Sequence, residues 1–147
     1  MEKHISTQHQ SRGEIALKVL ITPGDLNHHG TVFGGAILAY FDLAASGYAM
    51  EQVGHKVVLV SMNKSSFIKP VFANEYLTFY AKTVNSGNTS LTVGLEAWRS
   101  QPSNGSRQGD LVATAEITMV AVGDDLRPRL IKKENGKQGS DKQGKGA

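Results

Sequence analysis

The chain lacks cysteine altogether and holds one tryptophan and four prolines in 147 residues. Without cysteine there are no disulfides, no thiolate zinc sites and no cysteine nucleophile, a composition compatible with a reducing cytoplasm. Charge is sparse and nearly balanced. The net charge of +3 lies in residues 131–147, where five lysines face Glu134 and Asp141; the rest of the chain carries eleven groups of each sign. The body is therefore not a general polyanion binder, and no nucleic-acid partner is expected. Long apolar runs are also scarce. The only one, residues 31–50, contains Gly34, Gly35, Gly47 and, near its centre, Asp42. A mid-bilayer aspartate costs roughly 2.5–3.5 kcal/mol on insertion scales, so no membrane span is expected. Residues 1–13 are polar and lack the apolar core of a secretory signal. The Gly/Lys/Gln-rich tail has no apolar residue larger than alanine after Ile131. It cannot bury enough surface to offset ordering entropy. The expected organisation is a polar arm (1–13), one cytoplasmic domain (14–130) and a flexible tail (131–147).

Several catalytic devices are missing too. There is no Gly-rich phosphate loop and no G-x-S-x-G elbow. His28 and His29 are adjacent, so in an extended segment they face opposite ways, and no third ligand has suitable spacing. No metal is expected.

What is present begins with alternation. Ile15, Leu17, Val19 and Ile21 share one face of a predicted strand over residues 14–22. Pro23-Gly24-Asp25 breaks it, and an irregular loop follows to Phe33. Gly34 and Gly35 open a helix that runs to about Gln52, with Gly54 as its stop. Four more strands are predicted: one over 56–63, then an interruption at Pro70 that suggests an edge or a bulge. Residues 75–84 and 90–98 form a hairpin around Asn85-Ser86-Gly87-Asn88, and 111–122 is the last strand, after a polar loop over 101–109. The helix is apolar on nearly every face, so a sheet must wrap it or a partner chain must cover it. A curved antiparallel sheet rolled around one central helix, an α+β fold, satisfies this, and its apolar edges invite dimerisation.

Asp42 is the only charged side chain between Leu26 and Met50. On an all-apolar helix it should be buried, at a cost of several kcal/mol unless it is paired or protonated. No Lys or Arg lies within a turn; Ser46 is one turn away on the same face. Either a tertiary ion pair or a reaction accounts for such a group. The glycine pair admits two readings as well. A helix N-terminus carries roughly half a positive charge and lets a phosphate or a carbonyl-derived oxyanion approach its N–H groups. Close packing of helix on sheet is the other reading. Asn27 could orient a water or a substrate carbonyl, or simply satisfy its own turn. Asp42 lies seven to eight residues, about 10 Å, along the axis from the glycines. One substrate group cannot easily touch both on one chain, which suggests a composite site between two antiparallel helices of a dimer.

The segment Pro23-Gly24-Asp25-Leu26-Asn27-His28-His29-Gly30-Thr31-Val32-Phe33-Gly34-Gly35, with Asp42 following, resembles the P-x-D-x-N-x-x-G-x-x-F-G-G-x-x-x-x-x-x-D signature of hot-dog-fold acyl-CoA thioesterases. The likeness is to the bacterial short- and medium-chain group related to the brain-type acyl-CoA hydrolases. It continues through Phe67-x-x-Pro70-Val71, Gly87-Asn88-Thr89-Ser90 and Glu96-Ala97-Trp98. The resemblance implies hydrolysis of acyl-CoA to a free acid and CoA, with Asp42 as general base or nucleophile. It implies Asn27 from the partner subunit, and N–H groups near Gly34 and Gly35 that polarise the thioester carbonyl. It further implies a homodimer, often a trimer of dimers, with coenzyme A as part of the substrate and no separate cofactor. Lys64 and Lys69 are candidates for the CoA phosphates, with Gly87, Thr89 and Ser90 as further CoA contacts. The chain departs from relatives at Asn74-Glu75, where Gly-Asp is common, and at Asn63, where an acid is common. The alternatives are a hot-dog hydratase/dehydratase, whose D-x-N-x-x-H pattern has Gly30 here in place of the histidine, and a non-catalytic acyl-CoA-binding module.

Overall fold

The computed structural model describes residues 12–101 and 109–131. Most of the expected arm, most of the polar loop near residue 105 and the lysine-rich tail lie outside the described residues. Five strands and one long helix follow in order: β1 (Glu14–Leu20), a 3-10 turn (Pro23–Asp25), α1 (Gly34–Val53), β2 (Lys56–Phe67), β3 (Tyr76–Ser86), β4 (Ser90–Ser100) and β5 (Asp110–Val122). They form a single sheet in the order β1-β3-β4-β5-β2, every neighbouring pair antiparallel. This is the sheet-and-central-helix arrangement expected from the sequence. Among the described residues no helix is long and apolar enough to cross a membrane.

Helix α1 lies on the inner face of the sheet. Its buried residues, Ile37, Phe41, Ala44, Ala45, Tyr48, Ala49 and Val53, recur at helical spacing and pack on inward residues of β3, β4 and β5. Phe41 meets Phe79 edge-on, with ring centroids 5.2 Å apart. Gly54 closes the helix at φ 69°, its N–H donating to the Met50 carbonyl, so the expected stop is in place.

Three local expectations change. Strand β2 continues past Asn63 to Phe67, because a bulge at which Lys64 adopts φ 51° carries its pairing with β5 onward. Strand β1 has its own register shift between Ile15 and Leu17. Ile15 pairs with Tyr80 on the outer face and is exposed, while Leu17 and Val19 turn inward. The sheet covers only one side of the helix. Gly35, Ala39, Asp42, Leu43 and Met50 form a stripe on the other side and are exposed on this chain. The expectation that Asp42 is buried is therefore corrected for a single chain: periodicity shows how apolar a helix is, not what covers it.

The exposed stripe is continuous in character with β2, an edge strand. Val58, Leu59, Val60, Phe67 and Ile68 are all exposed, Val60 and Phe67 each at 54%. Such an edge offers both unpaired backbone groups and apolar surface.

Candidate active site

The loop between β1 and α1 is built around Asp25. Thr22 and Asp25 form a capping box: Oδ2 of Asp25 accepts from the Thr22 N–H at 2.9 Å and from its hydroxyl at 3.2 Å, and the Asp25 N–H donates to the Thr22 carbonyl. Oδ1 accepts from the Tyr40 hydroxyl at 2.8 Å, and the Asp25 carbonyl accepts from the Phe33 N–H. The Thr22 N–H chiefly, with the Tyr40 and Thr22 hydroxyls, holds the Asp25 carboxyl below its ordinary range against the opposing effect of partial burial. Burial and the Asp25 carboxylate push the Tyr40 phenol up.

Asn27 begins a tight turn. Its Oδ1 accepts from the His29 N–H at 2.9 Å and from the Thr31 N–H at 3.3 Å; its Nδ2 donates to the Thr31 hydroxyl at 3.1 Å. Gly30 supplies the left-handed residue the turn needs, at φ 82°. The amide thus serves its own loop, and the second N–H of Nδ2 is what remains to reach a substrate or water. Because the segment turns, the His28 and His29 rings do not face opposite ways but lie 3.8 Å apart, both exposed. Among the described residues no group of three or more potential ligands could hold a metal.

The loop ends at the helix start. Phe33 is the N-cap residue without a side-chain cap, and its carbonyl accepts from Ala36. The N–H groups of Gly34 and Gly35, first in the helix, have no intrahelical acceptor. Both glycines are exposed. A Cβ on Gly34 would lie 3.7 Å from the Phe67 ring, an ordinary contact; one on Gly35 would come within 3.3 Å of the Phe33 ring. Neither glycine is needed to let helix approach sheet, so the packing reading loses its support. Val32 is fixed from behind by its N–H bond to the Val71 carbonyl.

Asp42 lies on the exposed stripe, and its Oδ1 accepts from Ser46 Oγ at 3.2 Å, the one-turn partner expected. The stripe is otherwise apolar around it: Leu43 is 62% and Met50 45% exposed. Within one chain it stands about 10 Å along the axis from the glycine N–H groups.

The residues suggested for CoA do not gather in one chain. Lys64 projects on the outer face of the sheet, 3.6 Å from Glu116. Lys69, just beyond β2, lies 3.5 Å from Asp110 at the end of the sheet where the helix starts. Gly87, Thr89 and Ser90 form the β3–β4 turn, which the Gly87 N–H bond to the Ser90 carbonyl closes. That turn is at the opposite end, where β2 starts, roughly 25 Å along the strand direction from Phe67.

Two arrangements escaped the sequence reading. One is the Asp25–Tyr40 bond; the Thr22-x-x-Asp25 spacing signals a capping box, but nothing local signals Tyr40. The other is an ion cluster under the 68–75 loop. Arg99 donates to the Pro70 carbonyl at 2.7 Å, pairs with Asp110 through Nε and a terminal nitrogen, and lies 3.7 Å from the buried Glu75. Glu75 also accepts from the Phe72 N–H. Asn74, at φ 67°, fills the left-handed position that glycine often takes.

Comparison with known proteins agrees with this geometry. Residues 29–106 match the thioesterase superfamily. The chain is 31% identical over 121 residues to the acyl-CoA thioester hydrolase YciA of Salmonella typhimurium, covering 82% of this chain and 91% of that protein. Among solved structures it is similar to Cj0915 of Campylobacter jejuni, described as a hexameric hotdog fold thioesterase, at TM-score 0.73 and 37% identity over 84% of this chain and 93% of that one. It is also similar to an acyl-CoA hydrolase of Staphylococcus aureus, solved as an asparagine-to-alanine mutant in complex with coenzyme A, at TM-score 0.73 and 30% identity over 78% and 68% of the two chains. Fold, motif and relatives converge: the chain belongs to the thioesterase superfamily and has its hot-dog fold.

Proposed function

We propose that the protein hydrolyses acyl-CoA thioesters to a carboxylic acid and CoA at a composite site between two copies of the chain. One observation carries this reading: a lone carboxylate, Asp42, stands in the middle of an apolar helix stripe beside an apolar edge strand. A second copy packed there would remove Asp42 from bulk water and bring the other helix's glycine N–H groups towards it. The names of the relatives support the substrate class. The hexameric relative supports a trimer of dimers, and the cysteine-free composition is compatible with a cytoplasmic setting.

In this mechanism the thioester carbonyl oxygen sits against the N–H groups of Gly34 and Gly35. Their orientation and the helix dipole stabilise negative charge as it develops on that oxygen. Asp42 of the other protomer either takes a proton from a water that attacks the carbonyl carbon, or attacks it directly. Direct attack gives an anhydride that water then opens. In both cases the C–S bond breaks and CoA leaves as the thiolate. Asn27 orients the reacting carbonyl or water through its remaining N–H. Lys69, near the helix start, and Lys64 and the Gly87–Thr89–Ser90 turn of neighbouring copies are the proposed contacts for the CoA phosphates. No separate cofactor takes part.

Thiol release from a series of acyl-CoA esters tests the reading. Asp42→Ala should lose ~10²–10⁴-fold in turnover while still binding CoA. Turnover at the wild-type rate would refute it. Single turnover in oxygen-18 water, with trapping of any anhydride, divides the two roles: label in Asp42 or a trapped anhydride means direct attack, and label in the product acid with no anhydride trapped means general-base catalysis. A crotonyl-CoA hydration assay should be blank, since Gly30 at φ 82° stands where a dehydratase would carry its histidine.

A further inference from the structure

Asn27 and Asp42 are each two residues from a member of the same hydrogen bond. Asp25 precedes Asn27, Tyr40 precedes Asp42, and Tyr40 donates to Asp25 at 2.8 Å. We propose that Tyr40 and Asp25 are a positioning pair for the reaction, a latch that holds the Asn27 turn at a fixed distance and angle from the helix it precedes. The inference rests on the thioesterase reading above and deepens it.

The turn over residues 27–31 is internally rigid, since the Asn27 side chain accepts from two backbone N–H groups within it. What sets its place on the molecule is a small number of ties. The Leu26–Val32 bridge closes its base, the Val32 N–H holds it to Val71, and the Phe33 N–H holds it to the Asp25 carbonyl. These ties run along the backbone and fix the base of the turn to the 68–75 loop, whereas Asp25, next to Leu26 at that base, sets where the base stands relative to α1. The Tyr40–Asp25 bond acts differently. Among the described residues it is the one side-chain hydrogen bond that joins this loop to the body of α1. The other oxygen of the same carboxylate is held by Thr22 at the end of the strand region, so Asp25 cannot swing with Tyr40. The phenol is anchored from below, its ring centroid 6.0 Å from that of Phe79 in the core.

Two-fold symmetry adds a consequence. In a composite dimer the latch of one protomer places its Asn27 in one site, and the helix it is tied to carries the Asp42 of the other site. Each site therefore depends on the latch of the protomer that supplies its Asn27, and a small rotation of that turn shifts a reacting group where sub-ångström placement governs the rate.

The test is a double-mutant cycle read in thiol release. Tyr40→Phe keeps the ring and removes only the hydroxyl. It should lower kcat about tenfold with KM nearly unchanged, with the oligomer preserved and the thermal midpoint lowered by no more than a few degrees. In an Asn27→Ala background the same change should cost less than about twofold, because the group it positions is gone. Asp25→Asn, which weakens the bond from its other side, should show the same non-additivity. Equal losses from Tyr40→Phe with and without Asn27, a wild-type kcat for Tyr40→Phe, or a wild-type kcat for Asn27→Ala would each overturn the latch. The outcomes separate from the parent reading: an active Asp42→Ala refutes the thioesterase mechanism itself, whereas an inactive Asp42→Ala with additive Tyr40→Phe and Asn27→Ala refutes only the latch.

Discussion

Replacing Arg99 with methionine removes the centre of the ion cluster while keeping a long apolar stem. Among the described residues Glu75, 3% exposed, then keeps only the Phe72 N–H as partner, and the Pro70 carbonyl loses the Arg99 donor. Stranding a fully buried carboxylate costs about 3–5 kcal/mol. The cost here is lower, because the Arg99–Glu75 approach is 3.7 Å and the arginine side chain is 24% exposed; about 2–3 kcal/mol is the expected loss. For a chain of this size that lowers the thermal midpoint by roughly 5–10 °C, measured at fixed protein concentration because assembly is linked to folding. Adding Glu75→Gln tests the cause. A neutral amide still accepts from Phe72 but no longer strands a charge, so Arg99→Met/Glu75→Gln should melt above Arg99→Met alone. The loop this cluster supports holds Val32, and through it the helix start, by the Val71 carbonyl, so turnover should fall in parallel. An Arg99→Met variant melting within a degree of wild type, or one not rescued by Glu75→Gln, would refute the reasoning.

Two further predictions concern the loop and the helix start. Asp25 titrates lower in the fold than its ordinary 3.8, so its contribution is present above that value and is lost as pH falls through the folded value. The urea midpoint of wild type should therefore exceed that of Asp25→Asn by a constant amount from pH 5 to 8, and the gap should shrink below about pH 4; an equal gap at pH 3 would contradict the assignment. Gly35→Ala should fold with stability within about 1 kcal/mol of wild type, since an exposed Phe33 ring can yield to the new methyl. Its thiol release should nonetheless fall about tenfold or more, because a helical Cβ leans towards the N-terminal N–H groups; unchanged turnover would remove Gly35 from the site.

Much of this was legible in residue order. The strand breaks at Pro23 and Pro70, the Gly54 stop and the Asn85–Asn88 hairpin all rest on local backbone chemistry, and each is in the structure. The Asp42–Ser46 bond followed from one-turn spacing. What escaped the sequence depends on partners far along the chain. Arg99 reaches Pro70 across 29 residues, and Tyr40 reaches Asp25 across 15; neither pairing has a local signature. Bulges are equally silent: plain alternation puts Ile15 on the inner face and ends β2 at Asn63, whereas Ile15 is exposed and β2 runs to Phe67. An apolar helix says only that something covers it, so the sequence alone places Asp42 under cover without naming the cover. On one chain that cover is missing from just the side where Asp42, Leu43 and Met50 stand.

Subunit complementation tests the composite site most directly. Asp42→Ala and Asn27→Ala chains, unfolded together and refolded as a mixture, form mixed dimers in half of all pairings. Each mixed dimer holds one site with both residues intact and one with neither. The mixture should regain about one quarter of wild-type thiol release, above the average of the two parents. A mixture no more active than that average would mean that Asn27 and Asp42 do not meet across two protomers, and would contradict the account.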